Sequence, residues 1–114
     1  MADNIVYINT DEGLKRVMNN KKLFSTLLSK FKNDTNLEKI EAAIGEADME
    51  SAKNAAHTLK GLVANLSLTE LFKQVQELEL QLKAGEFNAA QFELVKNTHA
   101  QTLIEVDKVI AQYA

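Results

Sequence analysis

The chain has no cysteine among its 114 residues. That excludes a disulfide framework, a thiol nucleophile, a zinc ribbon and a cysteine-ligated cluster. It also has no proline, and only four glycines. Proline and glycine are the usual punctuation of turn-rich β folds, and proline breaks helix interiors, so their scarcity favours long uninterrupted helices. A basic excess is missing too. Thirteen Lys and Arg stand against sixteen Asp and Glu, for a net charge of −3. Phosphate-backbone recognition needs a basic surface, so nucleic acid is a poor partner. No apolar run approaches the roughly 20 residues of a membrane span. The opening Met1-Ala2-Asp3-Asn4 offers no basic stretch ahead of an apolar one, so a secretory leader is not expected and the cytoplasm is. At this length, with 46% apolar residues, one domain with one core is expected.

What is present is helical periodicity. Asn9 precedes Glu12 by three, a capping-box spacing, and opens a short helix over about residues 10–18 carrying Leu14, Val17 and Met18. Leu23, Phe24, Leu27, Leu28 and Phe31 form an i, i+3, i+4, i+7 stripe that extends through Leu37, Ile40 and Ile44. Thr35-x-x-Glu38 could restart a helix inside that stretch, so residues 20–45 read either as one kinked helix or as two. Gly45 suits the position just past a helix end. Asp48 is placed to cap a helix over 49–66, and Ser67-x-x-Glu70 to cap one over 68–84, which Gly85 ends. Asn88-x-x-Gln91 starts the last, over 89–113, with a stripe of Phe92, Val95, His99, Leu103, Val106, Ile110 and Tyr113. The fold class that follows is all-α: an antiparallel up-and-down four-helix bundle with a short additional N-terminal helix as a lid, residues 1–114 making a single domain.

The helix over 49–66 departs from this pattern. Stepping 100° per residue with His57 at zero, Ala52, Ala55, Leu59, Leu62, Val63 and Leu66 fall between about 140° and 240°. His57 therefore projects away from the core, beside Glu50, Lys53, Asn54, Lys60, Gly61 and Ala64. Gly61 sits in a helix interior, where it costs about 1 kcal/mol relative to alanine. It lies one turn from His57 on the same face, with small Ala64 a further turn on. An exposed imidazole with a cleared approach suits nucleophilic attachment of a bulky anion, and Lys60 is within reach of the charge it would carry.

Ala56-His57-Thr58-Leu59-Lys60-Gly61, followed by Ala64-Asn65-Leu66 and Leu71, resembles the signature of histidine-containing phosphotransfer (HPt) domains. Gly13-Leu14-Lys15-Arg16, Leu27-Leu28, Phe31 and Leu78-Glu79 extend the resemblance over roughly residues 5–113. It implies a phosphocarrier without autonomous kinase activity. His57 would be the phosphoacceptor, Lys60 the phosphate contact, Gly61 the residue giving access, and Glu79 the group orienting the imidazole. The implied partners are receiver domains of a hybrid sensor kinase and a response regulator, the receiver supplying the aspartate and a divalent metal. Two departures stand out. Leu62 and Val63 replace small hydroxylated residues, and Ser67 replaces a glycine, which its capping box would account for.

Around His57, Lys53 either steers acidic receiver surfaces or is simply solvated, and Phe24 and Leu27, with Val17 and Met18, are either a docking patch or core. His99 lies on the core stripe and is expected to be a satisfied, semi-buried side chain. Bundle-core metal ligands are absent, as are a Walker loop and a GxGxxG turn, so no cofactor and no ATP cradle are expected. A monomer is expected because a complete bundle leaves no large apolar face. A free-standing protein is expected over a fragment of a larger kinase. The reading of another class is a helical module that sequesters a receiver or kinase without phosphorylation.

Overall fold

A computed structural model of the chain describes residues 5–113. The opening Met1-Ala2-Asp3-Asn4, read above for a leader, and Ala114 lie outside them. Six helices follow in order: α1 Thr10–Arg16, α2 Lys21–Phe31, α3 Asn36–Gly45, α4 Met49–Asn65, α5 Thr69–Lys83 and α6 Ala89–Tyr113. Among the described residues there is no strand.

Short polar side chains start most of these helices by accepting an otherwise orphaned backbone N–H. Asn9 accepts from Glu12 N, Asn20 from Leu23 N, Asp48 from Ser51 N and Asn88 from Gln91 N, at 3.0 to 3.1 Å. The stretch over 20–45 is two helices. Its restart does not use the Thr35 side chain, which makes no capping bond. Asp34 acts instead, accepting from Asn36 N at 3.0 Å and Asn36 Nδ2 at 2.8 Å, and thereby gives the backbone and side-chain N–H donors of the nine-tenths-buried Asn36 a partner.

Helix ends correct two further expectations. Gly45 is the last residue of α3, and the left-handed position after it belongs to Ala47, with φ 57°. Ser67 does not cap α5. The N-cap is Leu68, without a side-chain bond, and Ser67 itself takes the left-handed position after α4, with φ 57°. Leu68 N donates to Val63 O at 2.9 Å and Ser67 N to Ala64 O at 3.1 Å, the paired bonds of a Schellman turn.

α4 packs on α3 and α5, α5 on α6, and α6 on α2. The core between them is built from Phe24, Leu28, Ile40, Leu59, Val63, Leu71, Val75, Leu78, Val95 and Val106, all at most 1% exposed. On α4 the buried face is Ala52, Ala55, Ala56, Leu59 and Val63, with Leu62 only half-buried. The small alanines let the neighbouring helices close on the N-terminal half of α4. The last helix is turned from its expected stripe. Thr98 and Thr102 are buried, whereas His99, Leu103, Ile110 and Tyr113 are only partly so. Thr102 tolerates this because its hydroxyl donates to Thr98 O at 2.7 Å.

α1 is strapped across one end. Asn9 N donates to Ser67 O at 2.9 Å, and Thr69 Oγ1 donates to Val6 O at 2.6 Å. The Ser67 hydroxyl donates to Glu12 Oε1 at 2.8 Å and accepts from Arg16 Nη1. Gly13 faces the core so closely that a Cβ there would lie 2.6 Å from Phe24 Cζ. No helix among the described residues is long and apolar enough to cross a membrane.

Candidate functional site at His57 and Glu79

Capped firmly by Asp48, α4 carries His57 at its middle with its side chain 69% exposed. The tight turn at Leu66–Leu68 returns the chain so that α5 lies along α4. This places Glu79 beneath the imidazole, 2% exposed. His57 Nδ1 is 2.8 Å from Glu79 Oε2, and Lys60 Nζ is 2.7 Å from Glu79 Oε1. Lys83, one turn after Glu79, brings its Nζ to 3.6 Å from Oε2.

Burial pushes the Glu79 carboxyl pKa up. Hydrogen bonds from Lys60 and His57, together with the charges of Lys60 and Lys83, outweigh it and hold the group below its ordinary range. Glu79 is therefore a carboxylate at neutral pH, which can only accept. The neutral imidazole must then carry its proton on Nδ1, leaving the Nε2 lone pair outward. An exposed imidazole held in that tautomer by a buried anion is arranged for nucleophilic attack from Nε2.

The approach is open. A Cβ built on Gly61 would meet nothing within 4 Å, so no neighbour in this chain requires the glycine. Ala64 is half-buried and borders a groove of about 430 Å³ with Arg16, Phe72 and Lys73. Leu27 and Leu62 line a second groove, of about 600 Å³, with Val17 and Phe31. Lys53 pairs with Glu50 at 3.1 Å. Phe24 is no docking residue: it is 1% exposed and lies under Gly13, with its ring centroid 6.5 Å from that of Tyr113. Met18, by contrast, is 91% exposed.

His99 is half-buried but not satisfied, because its Nε2 is buried without a hydrogen-bond partner. Its ring centroid lies 5.6 Å from that of Phe31. Burial pushes the imidazole pKa down, against the charges of Glu38 and Asp34. Among the described residues, no group of three or more His, Cys, Asp or Glu could hold a metal ion.

The contact of Lys83 with Glu79, and the strap contacts of Glu12, Gly13, Arg16 and Ser67 at the opposite end of α5, were not read from the sequence. For Lys83 a signal existed in the i, i+4 spacing from Glu79. For the strap there was none, since Ser67 meets Glu12 across 55 positions.

Neither a curated protein nor a solved structure matches the chain. The family model of the Hpt domain matches residues 27–111, an interval that contains His57, Lys60, Gly61, Glu79 and Lys83. The chain thus belongs to the Hpt domain family, the histidine phosphotransfer domains of two-component systems.

Proposed function

We propose that the chain is a phosphocarrier in a His–Asp phosphorelay. It takes a phosphoryl group onto His57 from the aspartyl phosphate of one receiver domain, that of a hybrid sensor kinase, and gives it to the aspartate of a response regulator. The observation that carries the reading is the exposed His57 with its Nδ1 held at 2.8 Å by buried, ionised Glu79.

In the accepting step the Nε2 lone pair attacks phosphorus. The N–P bond forms as the P–O bond to the donor aspartate breaks, and that carboxylate leaves with the electron pair. The Nδ1 proton stays in place, so the ring becomes cationic and Glu79 balances it across the existing contact. Lys60 supplies an ammonium to the phosphoryl oxygens. The return step runs the same bonds backward onto the next aspartate, and the divalent metal of such a relay belongs to the receiver. Gly61 admits the partner's backbone, while Ala64, Leu27 and Lys53 lie around its docking site.

The scaffold is best read as an antiparallel up-and-down four-helix bundle. α2 and α3 act as one broken stave, meeting α6 through α2 and α4 through α3. Helices joined by turns as short as those after α3, α4 and α5 and packed side by side run in opposite directions. We read the chain as a cytoplasmic monomer.

The test is phosphorylation by phosphoramidate, read by intact mass and phosphorus NMR. Wild type should gain an acid-labile phosphohistidine, and His57→Gln should gain nothing while keeping its helical circular dichroism. Label on both would move the site elsewhere, His99 first. Binding of a receiver equally by wild type and His57→Ala, with no transfer, would favour a sequestering module instead.

A further inference from the structure

We propose that Lys83 is a positioning residue that takes over the Glu79 carboxylate when Lys60 is drawn to the phosphoryl group on His57. The inference rests on the phosphocarrier reading of His57. Its basis is the unequal use of two buried oxygens. Oε1 of Glu79 is held by Lys60 at 2.7 Å, and Oε2 by His57 Nδ1 at 2.8 Å. Lys83 stands at 3.6 Å from Oε2, beyond a hydrogen bond, with its side chain 53% exposed. Among the described residues it has no other ionic partner. It is a cation held in reserve.

A phosphoryl group on Nε2 carries up to about two negative charges and competes with a single carboxylate oxygen for the Lys60 ammonium. Lys60 can serve both groups only poorly, since it is one compact donor three residues from His57 on the same helix. Once it turns outward, Oε1 has lost its partner on a residue that is only 2% exposed. A buried carboxylate left short of a cation is costly, and it can relieve the cost by taking a proton. The nearest proton is the one on His57 Nδ1.

That proton decides whether the phosphoryl group can move on. With Nδ1 protonated, the ring leaves phosphorus as neutral imidazole. Without it, the ring must leave as an imidazolate anion, a far poorer leaving group. Lys83 needs only to close by roughly 1 Å to reach charge-assisted hydrogen-bond distance. Its place four residues after Glu79 on α5 gives the favourable helical orientation of such a pair. Glu79 then stays ionised, and the Nδ1 proton stays on the ring through both halves of the relay.

The experiment follows the Glu79 side-chain carboxyl by carbon NMR during a pH titration, with Lys60→Gln standing for the withdrawn lysine. Adding Lys83→Gln to Lys60→Gln should raise the Glu79 midpoint by at least about one pH unit. The same change in wild type should raise it less than half as far. Lys83→Arg should hold the midpoint in both backgrounds. In transfer from phosphorylated wild type to a receiver aspartate, Lys83→Gln should slow the reaction by about tenfold, and Lys83→Arg should restore it. Equal midpoint shifts in the two backgrounds would overturn the hand-over, leaving Lys83 a constant surface charge. No label at His57 of wild type would overturn the phosphocarrier reading, and the hand-over with it. Label at His57 together with equal midpoint shifts would overturn the hand-over alone.

Discussion

Glu79 is buried, and yet it is the acidic group whose pKa is lowered by the site itself. A carboxyl depressed in the folded state contributes stability that is fully present above its ordinary value of 4.5 and is lost as pH falls through the folded value. Glu79→Gln should therefore flatten the acid limb of a stability profile measured by urea unfolding between neutral pH and pH values below that range. His99 acts in the same direction for a different reason. Its imidazole pKa is lowered from 6.5 by burial, so the unfolded chain binds the proton first and stability falls as pH drops below that value. His99→Leu should lose less stability than wild type over that interval. Gly61 behaves oppositely to both, since its cost is conformational. Gly61→Ala should stabilise the fold by about 1 kcal/mol in urea unfolding while slowing transfer from a receiver severalfold, because the added methyl occupies space this chain leaves empty.

At the scale of the element, four helices end on a left-handed residue, and glycine fills only one of those positions. Met18, Ala47 and Ser67 have φ between 56° and 57°, and Gly85 has φ 77°. The sequence marks Gly85 because glycine is the habitual occupant, and it misleads at Gly45 for the same reason. Ala47 is exposed and pays the left-handed penalty with no side-chain bond in return. Ala47→Gly should raise stability by about 1 kcal/mol, as read from the urea midpoint. Ser67 is different, because its hydroxyl ties Glu12 and Arg16 to the turn. The caps at Asn9, Asp48 and Asn88 were legible because they are local bonds across three residues. The strap was not, because tertiary contacts decide it. Gly13→Ala should cost about 1–3 kcal/mol, since the new Cβ would meet a buried ring rather than a side chain free to move. Limited proteolysis should then cut near α1 first.

For the molecule as a whole, the helical class and the outward direction of His57 could be read from periodicity, since α4 has a clean apolar face opposite the imidazole. The rotation of α6 could not, because Thr102 enters the core only once its hydroxyl finds the Thr98 carbonyl to accept it. The Glu79 contact was reachable through family resemblance alone. Helical spacing says which residues share a face of one helix, but not which face of the next helix meets it. Phe24 shows the same limit, since its stripe fits a core and a docking patch equally well until Gly13 is seen to close over it.

The concealment of Glu79 also shapes the electric field of the surface. The chain carries a net charge of −3, but the carboxylate of the site lies inside and the ammonium groups of Lys60 and Lys83 lie nearer the solvent. Summed over these three side chains the charge is +1, a positive spot on a negative body. An approaching anionic group is repelled by most of this surface and drawn in at that spot. Such orientational sorting acts before any contact forms and fades as the Debye length shrinks. With a receiver that is itself net negative, the encounter rate in a stopped-flow transfer assay should accordingly fall as salt is raised, whereas screening of the overall repulsion alone would speed it.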